Sequence, residues 1–112
     1  MDMVAKLSGR QKAITGLVVA TALIHIVLGF MSEGSFMIIF ILNGLGYLAL
    51  LAALYFLPQM AGQRSMVRWA LLAFTAVTFV LYFVVNWPDI WGPMGIVDKL
   101  IELVLIILLL QE

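Results

Sequence analysis

The chain has 112 residues, 65% of them apolar and only 11% charged, and its mean hydropathy is +1.19. Ordinary soluble domains carry roughly 25% charged residues, and a soluble fold of this length has too little interior to hide so much apolar surface. Six basic and six acidic residues cancel, no basic run marks a nucleic-acid face, and the lack of cysteine excludes disulfides, thiol nucleophiles and thiolate metal sites.

The composition is that of an integral membrane protein with a single domain over residues 1–112. A helix needs about 20 mostly apolar residues to cross the hydrocarbon core. Residues 13–31 form the first such run, interrupted only by the ionisable His25. The basic start and apolar run of residues 1–31 also have a leader-like order. The run is long for a leader, and no A-x-A-like cleavage site follows, so a retained helix is expected. Ser32-Glu33-Gly34-Ser35 supplies a tight turn.

Residues 36–57 make the second span, with no charge at all, and Pro58 ends it. Residues 67–86 make the third. Asn86-Trp87-Pro88-Asp89 and Gly92-Pro93 then break the chain before the fourth, residues 92–111. That last run is the weakest, because Asp98, Lys99 and Glu102 interrupt it and only residues 103–110 are unbroken. Short links make consecutive helices antiparallel neighbours, so the expected fold is an all-α, antiparallel four-helix transmembrane bundle. Lys6, Arg10 and Lys12 precede the first helix, and Arg64 and Arg68 flank the second loop, whereas the first and third loops carry Glu33 and Asp89. The positive-inside rule then predicts a multi-pass topology with both termini cytoplasmic.

Polar residues inside these spans are few. At 1.5 Å per residue, His25, Asn43, Tyr82 and Asp98 each lie about 6–10 Å below the outer end, with Tyr47 and Glu102 about 14–16 Å deep. Asn86 closes the third helix at the same end. His25, Asn43, Tyr47, Tyr82, Asn86, Asp98, Lys99 and Glu102 therefore predict one intramembrane polar site in the outer half. Ionisable groups at such depth are costly and mark a site or a helix–helix contact. Asp98 and Glu102 share a face, Lys99 can reach Glu102 three residues on, and Asn43 and Tyr47 are one turn apart. His25, Asn43 and Glu102 are expected to point inward and to meet. Asp98 and Lys99 are expected nearer the interface, with Lys99 snorkelling. Thr21, His25, Gly29 and Ser32 form a small, polar stripe read as packing. Gly44 and Gly46 are read as permitting close helix approach.

Each polar residue also has a structural reading. A lone histidine is a poor metal site and more often packs through a hydrogen bond. Asn43 and Tyr47 read first as glue between helices. Glu102 either carries a proton or pairs permanently with Lys99. The sequence holds no H-E-x-x-H, P-loop, G-x-S-x-G or dinucleotide fingerprint, and no nucleophile–base–carboxylate set.

The expected function is thus a small non-enzymatic membrane protein acting through helix packing, as a homo-oligomer or an accessory subunit of a larger membrane complex. A proton- or cation-linked carrier or channel using His25 and Glu102 is the alternative. A haem-binding electron-transfer subunit, with His25 as ligand in a dimer, is the third. No cofactor and no metal are expected, and the lipid bilayer is the one certain partner.

Overall fold

The computed structural model describes residues 6–112; residues 1–5, where the single domain was expected to begin, lie outside it. The described chain is helical, and no strand occurs among the described residues. Four α-helices follow in order: α1 (Gly9–Phe30), α2 (Gly34–Leu51), α3 (Arg64–Asn86) and α4 (Pro93–Gln111). Three helical stretches, Gly9–Phe30, Gly34–Phe56 and Pro58–Asn86, are long and apolar enough to cross a membrane.

α1 starts earlier than residue 13 because a capping box begins it. Ser8 Oγ accepts from the Gln11 backbone N–H at 3.1 Å, and Gln11 Oε1 accepts from the Ser8 N–H at 3.0 Å. The turn after α1 works through Gly34, whose φ of 64° no β-carbon would tolerate well. α2 continues into a π-helical turn, Ala52–Phe56, closed by the Leu57 N–H on the Ala52 carbonyl at 2.9 Å. Pro58 forces Leu57 out of the helical region, to φ −104° and ψ 109°, so the helix cannot run on. A 3-10 turn, Pro58–Gln63, leads into α3. α4 starts with Pro93 at its first turn, where a missing N–H costs nothing.

α1 and α2 pack closely. A β-carbon on Gly44 would lie 2.7 Å from the Ala22 carbonyl oxygen, so only glycine lets the two backbones approach this far. Gly46 plays the same part toward α3: a β-carbon there would meet the Phe74 ring at 2.7 Å. The apolar core lies at the end carrying the termini. It is built from Ile14 and Val18 of α1, Tyr47 and Leu51 of α2, Val67 and Leu71 of α3, and Leu105 and Leu109 of α4.

That end is tied by charge. Glu112 accepts from Arg10 Nε at 2.6 Å, Gln11 Nε2 at 3.1 Å and Tyr55 Oη at 3.3 Å. Arg68 donates to the Leu109 carbonyl at 2.9 Å and Arg64 to the Leu54 carbonyl at 3.0 Å, covering acceptors that helix ends leave free. Burial alone would push the Glu112 carboxyl up, but the Arg10 and Gln11 hydrogen bonds outweigh it and hold the group below the usual carboxylate range.

α4 is one continuous helix. Its buried positions Asp98, Glu102, Leu105 and Leu109 repeat at intervals of four, three and four, one helical face, with Lys99 beside them. The three charges that weaken it as an apolar run thus face the protein interior.

A candidate polar site at the foot of an inter-helical cleft

α1 brings Thr21 and His25 one turn apart, α2 brings Tyr47, and α4 brings Asp98, Lys99 and Glu102. All six are buried. Tyr47 Oη donates to Glu102 Oε2 at 2.7 Å, and Lys99 Nζ donates to Glu102 Oε1. Lys99 Nζ also lies 3.3 Å from Asp98 Oδ2 and 5.0 Å from the centre of the Tyr82 ring. Thr21 Oγ1 donates to Asp98 Oδ1 at 2.6 Å, with a longer 3.3 Å contact to Glu102 Oε2.

His25 is oriented at both nitrogens. Nδ1 lies 2.7 Å from the Thr21 carbonyl, which can only accept, so Nδ1 carries a hydrogen. Nε2 faces Asp98 Oδ2 at 3.6 Å. A neutral ring with its hydrogen on Nδ1 would turn a lone pair toward a carboxylate. A proton on Nε2 turns that repulsion into an ion-pair attraction. Two carboxylates against one ammonium leave the cluster one positive charge short, and the same proton supplies it. Buried charge that stays unbalanced is expensive, so this count has force.

Above the cluster opens a cleft of about 800 Å³. His25, Asp98 and Lys99 border it, with Phe36, Phe40 and Asn43 on the α2 side and Thr78, Leu81 and Tyr82 on the α3 side. Asn43 Nδ2 donates to Thr78 Oγ1 at 2.9 Å and bridges α2 to α3. Glu33 lies exposed at the rim.

Several expectations need correction. Lys99 does not snorkel: the Asp98 and Lys99 side chains are 4% and 6% exposed, and Lys99 turns inward to both carboxylates. The α2 group that meets Glu102 is Tyr47; Asn43 bonds α3 instead. Asn86 is exposed and donates to the Tyr82 carbonyl of its own helix at 2.9 Å, so it borders the cleft without joining the cluster. Tyr82 spends its hydroxyl on the Ile90 carbonyl at 2.7 Å and offers its ring to Lys99. Thr21, read as packing, is a direct partner of Asp98. Its signal was its place one turn before His25 on the same face.

His25, Asp98 and Glu102 offer ligand atoms within 4.8 Å of one another, the donor set of a small metal site. The Lys99 ammonium already binds both carboxylates there and leaves a deficit of one charge, so a divalent ion would bring one positive charge too many. An iron at Nε2 would have to displace Asp98. Neither a metal nor a haem fits the arrangement.

No protein-family model, no curated protein and no solved structure matches the chain.

Proposed function

We propose that the chain is a small multi-pass membrane protein, an antiparallel bundle of four transmembrane helices with both termini cytoplasmic. In this reading its buried cluster is the ionic centre of a proton-linked carrier. The observation that carries the reading is the charge count together with the aim of His25. With both carboxylates ionised the buried site lacks one positive charge, and a proton on Nε2, 3.6 Å from Asp98 Oδ2, would supply it. His25 and Asp98 also border the cleft, so this proton has a route out.

The four-helix reading gains support from α4. With Asp98, Lys99 and Glu102 inside, the rest of its surface is apolar, and Val97, Leu100, Leu103, Val104, Ile107 and Leu110 are exposed. Such a helix suits lipid better than water. The rival reading, in which the cluster only holds helices together, draws on the hydrogen bonds that tie α1 and α2 to α4.

Proteoliposomes carrying a pH-sensitive dye separate the two. The carrier reading predicts protein-dependent collapse of an imposed pH gradient. It predicts loss of that movement in Glu102→Gln and Asp98→Asn variants that still purify as folded protein. A gradient that decays at the same rate with and without protein would leave helix packing as the role.

A further inference from the structure

We infer that the cleft is a binding site for one amphiphilic organic cation, an ammonium group on an apolar body, which takes the place of the cluster's proton at Asp98. This rests on the proton-linked reading above and adds the chemical class of the ligand.

Charge selects the sign. Asp98 forms part of the foot of the cleft and Glu33 part of its rim, so an anion would meet a carboxylate at either end. Lys99, the one ammonium in the lining, is committed to Glu102 and Asp98. A cation at Asp98 fills the same charge deficit as the proton, so the two exclude each other. The exchange balances: the protonated site plus the cation gives the occupied site plus one free proton.

Size and lining select the body. A cleft of about 800 Å³ is far larger than a bare ion and falls in the range of small-molecule sites. Its walls are mostly apolar, and Phe36, Phe40 and Tyr82 supply aromatic faces. Such faces attract alkylammonium groups. Tyr82 already holds one ammonium, that of Lys99, at 5.0 Å. The cleft lies between α2 and α3, and the Asn43–Thr78 bond bridges its two walls. In a bilayer, a gap between two lipid-facing helices admits a ligand with an apolar body from the side.

The test uses the full chain in phosphatidylcholine nanodiscs at mildly acidic pH. Benzyltrimethylammonium is the probe, because it has no proton of its own to lose. Neopentylbenzene is its uncharged isostere and benzenesulfonate the anionic control. Calorimetry in two buffers of different ionisation heat gives affinity and the number of protons released. The expected result is saturable binding of the cation alone, with about one proton released per cation bound. Asp98→Asn should weaken binding at least about ten-fold and abolish the release, since it removes the attracting charge. Phe36→Leu changes the cleft wall farther from the cluster, with Phe40 as its aromatic neighbour, so it covers the case in which Asp98→Asn fails to fold. It should weaken binding by about five-fold through loss of an aromatic face. Equal binding of the neutral isostere, binding of the sulfonate, no binding of the cation, or cation binding without proton release would each overturn the inference. So would a phospholipid that co-purifies in the cleft and resists the probe. If liposomes show proton movement sensitive to Glu102→Gln while the cation does not bind, only the ligand class falls. If neither occurs, the carrier reading falls with it.

Discussion

Tyr47→Phe isolates one bond of the cluster. The Tyr47 ring is fully buried and meets the Phe74 ring edge-on at 4.8 Å, contacts that phenylalanine keeps. Only the hydroxyl is lost, and with it the 2.7 Å bond to Glu102 Oε2. Hydrogen bonds to charged groups contribute about 1.5–3 kcal/mol. Glu102 keeps Lys99 on its other oxygen and a long 3.3 Å contact from Thr21, which offsets part of the loss. The net cost should be about 1–2 kcal/mol, or roughly a five- to thirty-fold change in the folding equilibrium. Reversible unfolding in mixed micelles of mild and denaturing detergent reads this. A double-mutant cycle with Glu102→Gln assigns the loss to the pair, and a coupling of about 1 kcal/mol is expected. A Tyr47→Phe variant within about 0.3 kcal/mol of the parent, with no coupling to Glu102, would refute the bond, because additive behaviour is what unconnected sites show.

Lys99→Met leaves two buried carboxylates without their ammonium, and removing one partner of a buried pair costs about 3–5 kcal/mol in the same unfolding assay. Gly44→Ala drives a methyl against the Ala22 carbonyl and should cost about 1–3 kcal/mol. Gly16→Ala, with nothing within 4 Å of the new methyl, should be neutral or gain up to about 1 kcal/mol. Glu112, held below the usual carboxylate range, stabilises the end that carries the termini above that range, and this contribution is lost as the pH falls through its lowered value. Arg10 is 44% exposed, so solvent screening keeps the effect under about 1 kcal/mol, and Glu112→Gln should remove the acid dependence from the melting curve. Single cysteines at Ser35 and Gln63, both exposed in this cysteine-free chain, should react with an impermeant reagent from opposite sides of the membrane. Labelling of both from one side would contradict the topology.

The helical elements were legible because long apolar runs and their breakers are local. Pro58, the Ser32–Gly34 turn and Gly92-Pro93 mark boundaries that any single chain displays. The start of α1 was missed because the Ser8–Gln11 box sits among basic residues, ahead of the apolar run. Counting residues from helix ends places each polar group along its own helix. It could not give azimuth between helices, which depends on how side chains interlock. Asn43 and Tyr47 share a face, yet one turns to Thr78 and the other to Glu102. Snorkelling of Lys99 was a local expectation too. Thr21 on α1 and Glu102 one turn on in the same helix instead hold Asp98 and Lys99 inside the bundle.

His25 is the only histidine, so its two ring nitrogens give an unambiguous signal in a nitrogen-15 spectrum of the protein in nanodiscs. Nδ1 should carry a hydrogen bonded to the Thr21 carbonyl, and Nε2 should carry the proton that faces Asp98. Asp98→Asn and Glu102→Gln should each shift the Nε2 signal, because both carboxylates act on that proton. An Nε2 that carries no hydrogen, or whose signal is identical in the parent and both variants, would contradict the proton-linked reading.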